Sequence, residues 1–272
     1  MSDEVILYEV SEGIAKVTLN RPDRLNAVTQ EMTGKLKQSL DDACKDPMVK
    51  VIILTGAGRG FCAGADMQGL SDVTKGGSRT TFTPEERDYE SNGLSNWEGT
   101  YNYFPSLPKP IIAAINGPAA GVGFVMSLFC DIRFAKKSAV FSSAFAKRGL
   151  IAEYGSAWIL PRLVGLAHAN DILFSSRKFD AIEAERMGLV NRAINDELFE
   201  EEVLQYAKDL SKLVSPRSLR VMKTQIYSSQ TEDIEVSVAR AVEEMRLSFD
   251  SDDFKEGVAH YMEKRDPKFT GK

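Results

Sequence analysis

The chain has 272 residues, 27% charged and 43% hydrophobic, and 34 Lys plus Arg against 39 Asp plus Glu give a net charge of −5. That balance offers no general attraction for nucleic acid or an anionic membrane, and no apolar run approaches the about 18 residues needed to cross a bilayer. Three cysteines, Cys44, Cys62 and Cys130, lack CxxC spacing, so neither a disulfide framework nor a metal centre is expected.

The N-terminal MSDEVILYEV has no basic segment leading into a long apolar one, and a cytoplasmic location is expected. Val5 to Tyr8 and Ala15 to Leu19, either side of Ser11-Glu12-Gly13, read as a strand pair. Thr29 is placed to cap a helix in which Met32, Leu36, Leu40 and Ala43 recur at helical spacing until Asp46-Pro47 stops it. Val49 to Thr55 is a near-continuous apolar run, as expected of a strand buried on both faces. Strand, helix and strand make one parallel crossover unit.

Small residues crowd the stretch Gly56 to Met67 that follows, which marks a place where a ligand can meet the backbone. It lacks the Walker ending and the GxGxxG spacing, so a nucleotide-phosphate loop is disfavoured. Ser71 to Pro105 is polar and is expected to be a mobile cover for a pocket, with Glu85 to Asn92 helical.

Lys109 to Asp131 is the organising stretch: a strand over Ile111 to Ile115, a turn at Asn116-Gly117-Pro118, small residues Ala119 to Gly123, then a buried helix over Phe124 to Cys130. The first turn of such a helix leaves N–H groups unpartnered and carries the positive end of the dipole, so it favours a negatively charged oxygen. A packed strand-to-helix crossover with no ligand explains the same pattern.

Further on, Ala139 to Phe141 reads as a strand, Ser156 to Leu163 as a helix, Arg177 to Asp180 as a strand and Glu183 to Val190 as a helix. From residue 197 the texture is wholly helical, which divides the chain into a core, 1–196, and a helical region, 197–272. Val203, Tyr206, Leu210 and Leu213 share one face, Ser215 caps a helix begun by Pro216, and Ile234, Val238, Ala241 and Met245 share another face. These faces suit another subunit or the chain's own core. The only histidines, His168 and His260, are expected at the surface or in packing.

Asn20-Arg21-Pro22 with Leu25-Asn26-Ala27, then Phe61 to Met67, Lys109 to Gly117, Cys130-Asp131-Ile132 and Ala184 to Val190, occur in an order that resembles the crotonase (enoyl-CoA hydratase/isomerase) superfamily over nearly the full length. The resemblance implies an α/β fold: a spiral of strand-strand-helix units with a C-terminal helical trimerisation region, acting as a homotrimer or dimer of trimers. It implies an acyl-CoA thioester as ligand, with coenzyme A part of the substrate and no separate cofactor. Carried over by position, the backbone amides of Ala65 and Val122 would polarise the thioester carbonyl. Val122 departs from the glycine common there, which leaves a donor in place but narrows the approach. Contacts to coenzyme A would fall on Arg24, Leu25, Ala63, Asp66, Met67, and on Phe269 and Lys272 reaching toward a neighbouring subunit's ligand. Asp66 also reads as a cap of the helix that follows, in preference to a direct catalytic role.

Hydratases of this family carry two glutamates that activate water; the matching positions are Val125 and Phe145, which hold no protons to exchange. Glu153 stands where isomerases of the family, among them the ring-1,2-epoxyphenylacetyl-CoA isomerases, place an acid/base carboxylate. One carboxylate suits a double-bond shift, because it can take a proton from one carbon and return it to another. Ile151, Ala152, Trp158 and Phe145 are expected to exclude water around it. The alternatives are that Glu153 activates water in a hydratase or hydrolase, that it serves only the following helix N-terminus, or that the chain binds acyl-CoA without catalysis.

Overall fold

The structure, a computed structural model, describes residues 4–67, 71, 97 and 99–272. β1 (Ile6–Ser11) and β2 (Ile14–Leu19) pair antiparallel across Glu12-Gly13. Helix α1 (Gln30–Lys45) then crosses to β3 (Val51–Gly56), which lies parallel to β2. The sequence signals act as expected here: Thr29 Oγ1 accepts the Met32 N–H at 3.2 Å, and Met32, Leu36, Leu40 and Ala43 are the buried residues of α1.

β4 (Ile111–Ile115), β6 (Ile132–Lys136) and β9 (Arg192–Ile194) extend the sheet, all parallel, in the order β1-β2-β3-β4-β6-β9. Alternate residues of its strands face two cores. Ile52 and Leu54 of β3 point into the larger one with α1, whereas Val51 and Ile53 point to the other face. Helix α5 (Phe199–Leu213) covers that second face with Phe199, Val203 and Ala207. Each fully buried Leu, Ile or Phe contributes about 1.5–3 kcal/mol by removal from water. The change of texture at residue 197 therefore opens the helical region with a helix that closes the sheet.

A smaller sheet, β5 (Ala119–Ala120), β7 (Val140–Ser142) and β8 (Phe179–Asp180), stands beside the first. Two single bridges continue it, Cys62 with Ala119 and Ala65 with Val28, both parallel. Helix α2 (Val122–Phe129) follows β5 directly, two residues earlier than the apolar run predicts. Small residues were expected to form a loop up to Gly123, but Gly121 supplies the turn and Val122 and Gly123 are helical and buried, so packing overrides their poor helix propensity.

Helix α3 (Ser156–Ser175) outlasts its expected span, with a break at Gly165 (φ 76°, ψ 163°), and α4 (Ala181–Arg186) precedes β9. The remaining helices are α6 (Pro216–Ser228), capped by Ser215 as expected, α7 (Ile234–Asp250) and α8 (Asp252–Glu263). Buried Lys223 ties α6 to the sheet: its Nζ lies 2.8 Å from Asp131 Oδ2 and 3.0 Å from the carbonyls of Phe104 and Lys109. Ile234, Val238 and Met245 of α7 are more than half exposed, so this apolar face does not pack back on the chain's described residues.

Of the segment expected to cover a pocket, residues 72–96, including the expected helix Glu85 to Asn92, lie outside the described residues. The described remainder corrects the expectation, since Trp97, Tyr101, Tyr103 and Phe104 are buried core residues. Their aromatic bulk outweighs the polar composition around them. No helix among the described residues is long and apolar enough to cross a membrane.

Candidate active site

Two asparagines shape the glycine-rich loop after β3. Buried Asn26 donates to the carbonyls of Ala57 and Gly60 at 3.0 and 2.8 Å, and Asn116 donates to those of Gly56 and Gly58 at 2.8 and 2.9 Å. These amides take the place of strand partners, which the loop's irregular backbone lacks. Gly117 is required by contact, because a Cβ there would lie 2.2 Å from Arg59 O.

Beyond the loop, residues 62–65 are held from both sides. Cys62 N–H donates to Pro118 O and Ala120 N–H donates to Cys62 O, at 3.0 and 2.9 Å. Val28 N–H donates to Gly64 O and Asp66 N–H donates to Val28 O, at 2.8 and 3.0 Å. In a parallel bridge of this kind the paired residue's own amide points away from its partner strand. Ala65 N–H is thus turned from Val28 and, among the described residues, donates to no group.

The second orphan donor is built differently. Gly121 caps α2 at φ 51°, ψ −119°, a conformation reserved for glycine, and Val122 is the first helical residue. Its N–H belongs to the first turn, where no carbonyl precedes it at the helical spacing. Gly123, next in line, lets α2 lie against the loop: a Cβ there would sit 2.2 Å from Cys62 O. That close approach brings the Val122 turn onto the segment carrying Ala65.

Both residues line one cavity of about 620 Å³, together with Arg21, Arg24, Ala27, Ala63, Gly64, Asp66, Met67, Gly121, Ala144, Phe145, Arg148, Leu150 and Glu153. The expected site residues Arg24, Ala63, Ala65, Asp66, Met67, Val122 and Glu153 are brought together. Leu25 is not: its side chain covers Gly60, 3.2 Å from where a Cβ would be, and its carbonyl accepts the Ala63 N–H at 2.9 Å. Leu25 shapes the loop from behind. Phe269 and Lys272 also lie off this cavity, in a tail fixed by Asp253, whose carboxylate accepts the amides of Thr270 and Gly271 at 2.8 and 3.0 Å. The Phe269 ring rests against His260, with centroids 5.9 Å apart.

The cavity is rich in cations. Arg21 Nη1 lies 2.8 Å from Asp66 Oδ2 and 2.5 Å from Ala27 O, so this arginine and Asp66 neutralise each other where the loop meets α1. Asp66 also precedes helical Met67, the position expected of a cap. Arg148 donates to Ala144 O at 2.9 Å, and among the described residues Arg24 has no ion-pair partner. Arg21 and Arg148 were missed as site residues. Arg21 was visible in the Asn-Arg-Pro stretch, whereas Arg148 carries no signal beyond being a basic residue in the turn before Gly149.

The two positions where water-activating glutamates would stand are apolar and closed. Val125 is fully buried one turn into α2, and Phe145 is buried while lining the cavity. Glu153 is half-buried and lies two residues before the Gly155 cap of α3. Of its expected apolar neighbours, Ile151 is 75% exposed and turns outward, which corrects that part of the expectation; Leu150 lines the cavity in its place. Cys62, behind the loop, is pushed up to about 12 by burial and remains a thiol at neutral pH.

A parallel α/β spiral that presents, in a cation-rimmed cavity beside a carboxylate, two backbone amides with no partner among the described residues defines a crotonase-type protein. The Enoyl-CoA hydratase/isomerase family profile matches residues 9–272. A 1,2-epoxyphenylacetyl-CoA isomerase from Escherichia coli is 36% identical over 99% of both chains. A probable enoyl-CoA hydratase from Rhodobacter capsulatus is 35% identical over the full length of both. The solved structure of an enoyl-CoA hydratase subunit I from Geobacillus kaustophilus superposes with a TM-score of 0.84 at 30% identity, covering 99% of each chain. This chain belongs to the enoyl-CoA hydratase/isomerase family.

Proposed function

We propose that the protein is an enoyl-CoA isomerase that moves a double bond along an acyl-CoA thioester through an enolate. The observation that carries this reading is that Glu153 shares the cavity with Ala65 and Val122 while Val125 and Phe145 stand at the hydratase positions. With the thioester oxygen between the two amides, the Glu153 carboxylate takes a proton from C2 of a 3-enoyl chain. The electron pair moves into the thioester and charge collects on the oxygen. Fixed donors of this kind lower such a barrier by about 3–4 kcal/mol each. Glu153 then returns the proton at C4, leaving the 2-enoyl product. No water enters the balance.

Asp66 is a poorer proton carrier because Arg21 holds its carboxylate in an ion pair. Arg24 and Arg148 are suited to the phosphates of coenzyme A, with Ala63 and Met67 along the pantetheine path. Phe269 and Lys272 are assigned to a neighbouring subunit's ligand, and the exposed face of α7 to the contact that forms a homotrimer or dimer of trimers. The isomerase named among the relatives supports the reading; the hydratase named beside it sets the alternative, in which Glu153 activates water. Incubation of 2-enoyl- and 3-enoyl-CoA in heavy-oxygen water separates them. The isomerase reading expects interconversion with no heavy oxygen in the product, and label in the acyl chain or a free acid overturns it. Tight acyl-CoA binding with no deuterium exchange at C2 would instead identify a binding protein.

A further inference from the structure

Glu153 is followed by two residues in the left-handed region, Tyr154 at φ 53° and Gly155 at φ 78°. A tyrosine there is strained, at a cost of order 1–2 kcal/mol, and such a turn persists only where the surroundings fix it. Tyr154 is fixed from inside the protein. Its side chain packs against the main core, and its ring meets that of Tyr101 edge to face, with centroids 5.1 Å apart and planes at 77°.

Tyr101 is itself anchored. It is 4% exposed, and its hydroxyl lies 2.9 Å from Thr33 Oγ1. Thr33 has one hydroxyl proton, and that proton is directed to Thr29 O at 3.0 Å. The Tyr101 hydroxyl is therefore the donor to Thr33. Burial raises the phenol well above its ordinary value, so the donor stays protonated.

Thr33 lies in the first turn of α1, five residues after Val28, which pairs with Ala65. The same short piece of chain thus holds the Ala65 amide through Val28 and the Glu153 turn through Thr33, Tyr101 and Tyr154. We propose that Tyr101 is a positioning residue, which through the Thr33 hydroxyl and the Tyr154 ring sets where the Glu153 carboxylate sits relative to the Ala65 amide. This rests on the reading of Glu153 as the proton carrier. A misplacement of about 1 Å in such a pair can cost up to about 100-fold in rate without weakening binding.

The test compares Tyr101→Phe, Thr33→Val, their combination and Glu153→Gln. The probes are trans-3-hexenoyl-CoA for turnover, butyryl-CoA in deuterated water for C2 exchange, and butyryl-CoA calorimetry for binding. Tyr101→Phe keeps the ring and removes only the anchoring bond. It is expected to lower kcat about tenfold, with KM and butyryl-CoA affinity within about twofold. Thr33→Val breaks the same link and also loses the bond to Thr29 O, so it should lower kcat at least as much, and the pair should be no worse than Thr33→Val alone. Additive losses, or a fall in thermal stability with kcat per folded molecule unchanged, would overturn the inference. If Tyr101→Phe does not fold, Thr33→Val reads the same bond. Glu153→Gln separates the two ideas: unchanged turnover there sinks the function, whereas a large loss there beside full activity in Tyr101→Phe and Thr33→Val sinks only the positioning role.

Discussion

Helix α2 buries all eight of its residues, whereas α7, twice as long, buries none. The first was expected from a continuous apolar run and the second from apolar residues at helical spacing. In α2 the apolar character runs all round, and the helix is enclosed by the loop at Cys62, the smaller sheet and the core. In α7 it forms a stripe, Ile234, Val238, Val242 and Met245, that faces outward. The period of a pattern says which side of a helix avoids water, and only the fold says whether this chain or another one provides the cover.

Gly123→Ala breaks the enclosed side of the comparison and should have the largest effect. Its Cβ would lie 2.2 Å from Cys62 O, so α2 and the Ala65 segment must separate. Overpacking of this kind costs about 1–3 kcal/mol, read as a lower melting temperature, and the displaced Val122 amide should lower turnover about 100-fold. A variant with unchanged melting and turnover would show that the close approach does not set the site.

Val238→Asp probes the open side. Light scattering should show the wild type as an assembly and the variant as a single chain, with the helical circular dichroism kept. An unchanged mass would remove α7 from the contact.

The smallest effect is at Glu12, which joins the first hairpin to α5. Lys208 and Lys212 each lie 2.6 Å from its carboxylate and hold it near pKa 2, from an ordinary 4.5. A lowered carboxylate contributes stability that is present above the unfolded value and is lost as pH falls from about 4.5 toward 2. Glu12 is exposed, so the contribution is modest and weakens with salt. Glu12→Gln should flatten that part of the acid unfolding curve, and an identical curve would discount the ion pairs.

The strongly periodic parts of the fold were legible. Met32 to Ala43 gave the buried face of α1, Ile111 to Ile115 gave β4 without correction, and Thr29 and Ser215 both cap their helices. In the smaller sheet β7 and β8 fall on the strands expected at Ala139 to Phe141 and Arg177 to Asp180, whereas β5 was not legible, since a strand of two residues, Ala119–Ala120, carries no alternation to read. The anchoring role of Tyr101 was not legible, because its link to Tyr154 joins segments with no pattern in common. At the site, the resemblance named positions most of which the fold brings together, but not Phe269 and Lys272 in the tail, nor Leu25, whose side chain covers Gly60 and whose carbonyl holds Ala63 from behind the loop. Arg148 had no signal at all, because an exposed arginine in a turn reads as solvated surface.

The most direct measurement of the central claim is the conversion of trans-3-hexenoyl-CoA by the wild type and by Glu153→Gln in heavy-oxygen water, with acyl-CoA affinity measured alongside. The account predicts 2-hexenoyl-CoA free of heavy oxygen, and a variant that binds as before but turns over about 10²–10⁴-fold more slowly. Equal turnover in Glu153→Gln, or heavy oxygen in the wild-type product, would contradict it.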